Sequence, residues 1–152
     1  MGLKFNIKEF KDQGQIPSFL TCDGEDRVPT LQWSDAPKNT GSFAMIMEDP
    51  DAPGGTWDHW IVFNIPSNIN EISQQQPLPA SALAGKNSWG NMNYGGPCPP
   101  DRSHRYFFTI YSLDQKLNLP SGSDKLTILK AMQGHVLDQT TIMGYYKRIN
   151  KS

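Results

Sequence analysis

The sequence predicts a mostly β fold, an antiparallel sandwich or large sheet assembly carrying one or two helices near its C-terminus. Gly and Pro are abundant, 13 and 12 in 152 residues, and Trp, Tyr and Phe supply much of the apolar bulk. That mixture suits pleated surfaces joined by tight turns. Several segments of strand length alternate in polarity or run apolar between turn-rich stretches. Only one segment, late in the chain, recurs at helical spacing.

The elements follow in order. Leu3, Phe5 and Ile7 alternate with Lys4, Asn6 and Lys8, the period of a half-buried strand. A turn-rich stretch then leads to a short apolar piece, Leu31-Gln32-Trp33. SFAMIM (42–47), WDHWIVFNI (57–65) and HRYFFTIYSL (104–113) are strongly apolar and are expected to be the central strands. Between Ser67 and Gly96 the chain is polar and broken by Gly, Pro and Asn, a span long enough to hold irregular or functional structure. Behind Ser123, a candidate cap, Leu126, Leu129, Met132 and Val136 recur at helical spacing, and His135 is read as a structural residue of that helix. TTIMGYYKRI, from Thr140, reads as a last strand.

A chain of 152 residues is the size of one domain, taken here as 1–152. Lys and Arg total 14 against 15 Asp and Glu, with no basic stripe of the kind that neutralises phosphate backbones, so nucleic acid is not an expected partner. The N-terminus has no apolar run long enough for a leader or a membrane span, and Asn6 stands where a myristoylation motif wants Ser or Thr. The expected location is cytoplasmic. Cys22 and Cys98 are too few for a disulfide framework and not spaced for structural zinc, and a single bridge between them is left open.

Familiar catalytic motifs are missing. Gly85-Lys86 resembles a phosphate loop, but Ala80 replaces the first glycine and Asn87 the hydroxyl residue. There is no nucleophile elbow, zinc-protease helix or dinucleotide fingerprint. What remains lies at strand ends. By alternation, Trp57, His59, Ile61, Phe63 and Ile65 share one face of their strand, and His104, Tyr106, Phe108 and Ile110 share one face of theirs. Each strand follows a Gly- and Pro-rich loop, DPDAPGG in one case and GGPCPPDRS in the other. Alone, such a loop is ordinary turn vocabulary and a lone His59 an ordinary core residue. Paired in one sheet, the two ends form a concave pocket.

In that pocket Pro50 and Pro53 stiffen the loop carrying Asp49 and Asp51, whose carboxylates are expected to orient histidines. The Gly96 N–H, His59, His104 and the Tyr106 hydroxyl make a small-anion cup. Trp57 is the tryptophan expected to line it, while Trp33, Trp60 and Trp89 are left to the core or to loop packing. Two other chemistries stand beside the cup: a hydrolase with Asp51 and His59 or His104 as an acid–base pair, and a metal site using Asp49, Asp51, His59 and His104.

DPDAPGGTWDHWIVFNIP and YGGPCPPDRSHRYFFTIYSLD closely resemble the two signature regions of the phosphatidylethanolamine-binding protein family. TCDGEDRVPTLQW and AMQGHVLDQTTIMGYYKR are similar to its bacterial Raf kinase inhibitor-like branch, the YbhB/YbcL type. The resemblance spans nearly the whole chain. It implies a central antiparallel sheet packed on a smaller sheet, with an anion pocket for phosphate, a carboxylate or a phospholipid head group. It implies a regulatory binding module rather than an enzyme, with no cofactor, an unidentified protein partner and a homodimer. Matched by motif, the ligand-binding residues are Asp49, Asp51, His59, Gly96, His104 and Tyr106, with Pro53, Trp57, Pro97 and Cys98 at the rim. Some members have a cis bond before the residue matching Pro53, and Cys98 stands where animal members have proline.

Overall fold

A computed structural model describes residues 2–73, 78–79 and 81–148. Its strands are β1 (Lys4–Ile7), β2 (Gly14–Gln15), β3 (Leu31–Ser34), β4 (Ser42–Asp49), β5 (Trp57–Pro66), β6 (Glu71–Ile72), β7 (Leu83–Ala84), β8 (His104–Leu113) and β9 (Val136–Tyr146), with a 3-10 turn at Ser18–Leu20 and, among the described residues, one α-helix, α1 (Lys125–Met132). They form a three-stranded sheet, β1-β3-β6, and a six-stranded sheet, β2-β9-β8-β4-β5-β7. All pairings are antiparallel except β2 with β9. No described helix is long and apolar enough to cross a membrane.

The three apolar runs expected at the centre are β4, β5 and β8, with β4 between the other two. Strand β4 has no polar alternation because both of its faces are covered. Phe43, Met45 and Met47 join the core between the sheets, while Ala44 and Ile46 join a second cluster with Ile128 and Met132 of α1. Because β5 and β8 both run antiparallel to β4, they start at the same end of the sheet, where β4 stops at Asp49. That topology brings the two Gly- and Pro-rich loops together.

Strand β5 departs from simple alternation at two points. Met47 pairs with Trp60 but Glu48 with Asp58, so His59 is an extra residue; a second shift lies between the pairs Phe43–Ile65 and Met45–Val62. Such bulges put consecutive residues out of phase. Trp60, Val62 and Ile65 therefore face the inter-sheet core, while Ile61 and Phe63 face α1. The expected common face of His59, Ile61, Phe63 and Ile65 is not formed. The second bulge sits at Asn64, whose φ is 55°. Its side chain donates to the Leu117 carbonyl (2.9 Å) and accepts the Leu117 N–H (2.7 Å). These bonds offset the strain of a left-handed non-glycine residue.

The helix is shorter than its sequence pattern. Asp124, not Ser123, caps it, with Oδ1 accepting the Thr127 N–H at 2.9 Å. Ile128 and Met132, four apart, form the buried face. Leu126 lies off that stripe and is 63% exposed. Gly134, at φ 82°, follows the helix end, and Val136 already belongs to β9. His135 is thus a turn residue rather than a helical one, its Nδ1 2.9 Å from Asp114 Oδ1. The segment from Ser67 to Gly96 holds β6 and β7; residues 74–77 and 80 fall outside the described residues, as does Ile149 of the expected last strand.

Candidate functional site

Where β4 ends, Asp49 turns inward. Its Oδ1 accepts the Asp51 N–H at 2.8 Å, a local bond that folds the chain back after Pro50. Its Oδ2 lies 2.6 Å from His104 Nδ1, both side chains being buried. The Ala52–Pro53 bond is trans, as is every peptide bond among the described residues, so no cis bond shapes this loop.

His104 is held from both sides, since its Nε2 lies 2.7 Å from Asp101 Oδ1 on the half-exposed loop. The two contacts fix the plane of the ring between Asp49 and Asp101. Tyr106 stacks on this ring, with centroids 6.4 Å apart. Its hydroxyl is close to the Asp49 carboxylate and the Cys98 N–H. Burial, and then the Asp49 charge, push its ionisation far above the ordinary tyrosine range. Asp49 is thus faced by both the His104 ring and the Tyr106 hydroxyl.

His59 is oriented by a strap of chain. Its Nδ1 lies 2.6 Å from the Gly95 carbonyl, and the Gly95 N–H returns to the His59 carbonyl at 3.3 Å. Donation from Nδ1 leaves Nε2 as the nitrogen with no protein partner among the described residues. Burial holds the pKa of this ring below the usual histidine value, outweighing the Gly95 carbonyl and the Asp49 and Asp58 charges. The bulge gives His59 its place, edge-on to Tyr106 at 5.3 Å.

These residues enclose a cavity of about 390 Å³. Asp49, His59, His104 and Tyr106 form its polar wall; Pro53, Trp57 and Cys98 lie at its mouth. Three residues assigned to the site by sequence lie elsewhere. The Asp51 carboxylate takes the Arg105 guanidinium (Nε at 2.9 Å, Nη2 at 2.8 Å) and the Arg105 N–H (2.9 Å). Arg105 alternates to the outer face of β8, so Asp51 braces the strand and orients no histidine; the ion pair holds its pKa down at about 2. The Gly96 N–H is not a cup donor, because it is spent on Asp26 Oδ1 at 3.0 Å, and a Cβ there would collide with Asp26 and the Leu20 carbonyl. Pro97 is buried, with its carbonyl accepting the Cys22 N–H at 3.2 Å, rather than exposed at the rim.

Other residues join the site. Ala52, Pro99 and Pro100 line the cavity, as does Trp89, which meets His59 edge-on at 4.9 Å and Trp57 at 5.7 Å. A tryptophan set among Asn, Ser and Gly (NSWGNMN) has few apolar neighbours in sequence to make a core, which is the signal that would have pointed to it. Cys98 is bonded to Cys22, so it has no thiolate to offer. Among the described residues no group of three or more His, Cys, Asp or Glu side chains converges as a metal site: Asp51 is turned to Arg105, His59 Nδ1 to the Gly95 carbonyl, and Asp49 and His104 to each other.

A family model described as phosphatidylethanolamine-binding protein matches residues 6–147. The chain belongs to the phosphatidylethanolamine-binding protein family. This family member is 45% identical over 143 residues to a UPF0098 protein of Methanothermobacter thermautotrophicus, covering 91% of this chain and 95% of that one. It is 43% identical over 147 residues to a UPF0098 protein of Aquifex aeolicus, covering 93% and 86%. Among solved structures it is similar to a putative phosphatidylethanolamine-binding protein homologue of Chlamydia trachomatis, with a TM-score of 0.92, 34% identity and coverage of 97% and 98%. YbcL of E. coli, described as a new member of the mammalian family, superposes with a TM-score of 0.89 at 29% identity, covering 97% and 99%. The family's two-sheet β architecture and the end-of-sheet cavity in this member thus go together.

Proposed function

We propose that the protein is a binding module whose cup takes a small ligand bearing an oxyanion, a phosphate monoester or a carboxylate. The observation that carries this reading is His59. Its Nδ1 is committed to the Gly95 carbonyl, so the ring has one nitrogen, Nε2, to offer a ligand. Neutral, that nitrogen accepts a proton from the ligand; protonated, it donates a charge-assisted hydrogen bond. The adjacent Asp49 is not itself presented to the ligand, because its Oδ2 is engaged by His104 and its Oδ1 by the Asp51 N–H. The family's name refers to a phosphate-bearing lipid head group, which is the same ligand chemistry.

Hydrolysis is the weaker reading. Asp51 is spent on Arg105, so the acid–base pair loses its carboxylate, and the bridged Cys98 supplies no nucleophile. The bridge also weighs against the cytoplasmic location expected from the N-terminal sequence, since cytosolic thiols are ordinarily kept reduced. Isothermal titration with inorganic phosphate and with acetate tests the binding reading. His59→Ala is expected to weaken both by about tenfold or more, the scale of one lost charge-assisted hydrogen bond. Equal binding by wild type and variant would remove His59, and with it the reading.

A further inference from the structure

The mouth of the cup differs in character from its floor. Trp57, Trp89, Pro53 and Pro100, none of them buried, surround the opening, an apolar rim above a polar wall. Trp89 is 47% exposed, yet it is not loose. Its N–H donates to Asn87 Oδ1 at 3.0 Å, and the Asn87 Nδ2 ties the same turn to Asn91 Oδ1 (3.0 Å) and the Asn93 carbonyl (2.8 Å). Its ring lies on the bare Cα of Gly95, where any Cβ would strike it, and rests edge-on against Trp57 and His59. The ring is fixed in place before any ligand arrives, so covering it costs little ordering.

A half-exposed, prearranged aromatic ring beside a cavity mouth is apolar area that a ligand can cover. At about 390 Å³ the cavity lies within the roughly 300–1,000 Å³ range of sites for small organic molecules, well beyond what a single oxyanion fills. A free oxyanion would reach His59 and leave the rim in water. A ligand with a polyhydroxyl stem would place polar groups against Trp and Pro and lose part of their hydration.

We propose that the cup selects oxyanions carried on a flat, apolar stem, such as aryl phosphates or aryl carboxylates, and that Trp89 is the residue that makes the selection. This rests on the oxyanion reading of the cup and names the part of the ligand that reading leaves open. The stem lies between Trp89 and the Pro100 side of the mouth while the oxyanion reaches His59. Selectivity thus resides in the rim and charge recognition in the floor.

Titration calorimetry with phenyl phosphate, glycerol phosphate and phenol separates the two parts. Wild type is expected to bind phenyl phosphate about tenfold more tightly than glycerol phosphate, the scale of one aromatic contact plus buried apolar area. Trp89→Ala is expected to bring the two within about twofold of each other, while Trp89→Phe, which keeps a ring on Gly95, retains most of the preference. Equal affinities in wild type, or a preference that survives Trp89→Ala, would overturn the selection by Trp89. Phenol binding as tightly as phenyl phosphate, or neither phosphate binding, would instead overturn the oxyanion reading beneath it.

Discussion

At the scale of single residues, His59 gives the cup a pH dependence whose sign is fixed. Its folded pKa is lowered, chiefly by burial, while Asp49 and Asp58 pull it up and His104 pulls it down. A histidine kept neutral by folding contributes stability that is present above the unfolded value near 6.5 and lost as pH falls toward the lower folded value. An anion on Nε2 reverses part of that loss by favouring the charged ring. Sulfate is a suitable probe because its charge is constant between about pH 5 and 8, where histidine titrates. Sulfate is expected to raise the melting temperature more at about pH 5.5 than at about pH 7.5, and His59→Gln to abolish that difference. Equal shifts at both pH values in wild type would show that His59 is not the anion contact. Asp49, His59, His104 and Tyr106 were legible from sequence because each sits at the end of an apolar strand. Gly96 was misplaced because its partner, Asp26, lies in a distant loop, and no local pattern announces where a backbone N–H will be spent.

At the scale of elements, the decisive feature of β5 was invisible to alternation. Period-two reasoning assigns His59 to the face of Ile61, yet one inserted residue turns it toward Tyr106 and the cavity. Bulges arise from pairing with a neighbour, so a strand read in isolation does not reveal them. Asn64 holds the second bulge, and its contribution can be divided between conformation and hydrogen bonding. Asn64→Ala loses both Leu117 bonds and keeps a Cβ at positive φ, for an expected cost of about 3 kcal/mol in urea unfolding. Asn64→Gly loses the same bonds but relieves the backbone, and is expected to cost about 1 kcal/mol less. A larger loss for glycine than for alanine would mean that φ at this position is not strained. The helix shows the complementary limit: its existence was legible, but its buried face only in part, because Leu129 and Met132 pack toward the core while Leu126 is exposed and Val136 belongs to β9.

At the scale of the whole molecule, the site depends on two segments far apart in sequence. Residues 94–98 form a strap with the cup on one side: the Gly95 carbonyl bonds to His59, and Cys98 lines the cavity with Tyr106. On its other side the strap is tied to residues 20–26, through Tyr94 to the Leu20 carbonyl (2.7 Å), Gly96 to Asp26 and Pro97 to Cys22. The Cys22–Cys98 disulfide fastens the same two segments covalently. Sequence left that bridge open, since two cysteines 76 positions apart carry no spacing signal and only the fold brings them together. A closed loop of that length restricts the unfolded chain by an amount on the order of 4 kcal/mol in the chain-entropy account. Replacing both cysteines by serine is therefore expected to lower unfolding stability by about 2–4 kcal/mol, because native hydrogen bonds still hold the strap. The double variant is also expected to bind phosphate several-fold more weakly, since His59 and Tyr106 lose the fixed position of their strap partners. Amide exchange at Gly95 and Gly96 separates the two effects: faster exchange there, with the β4 and β8 amides still protected, is the signature of a loosened strap in an intact fold. Unchanged exchange at the strap together with unchanged affinity would show that the backbone bonds alone position the cup.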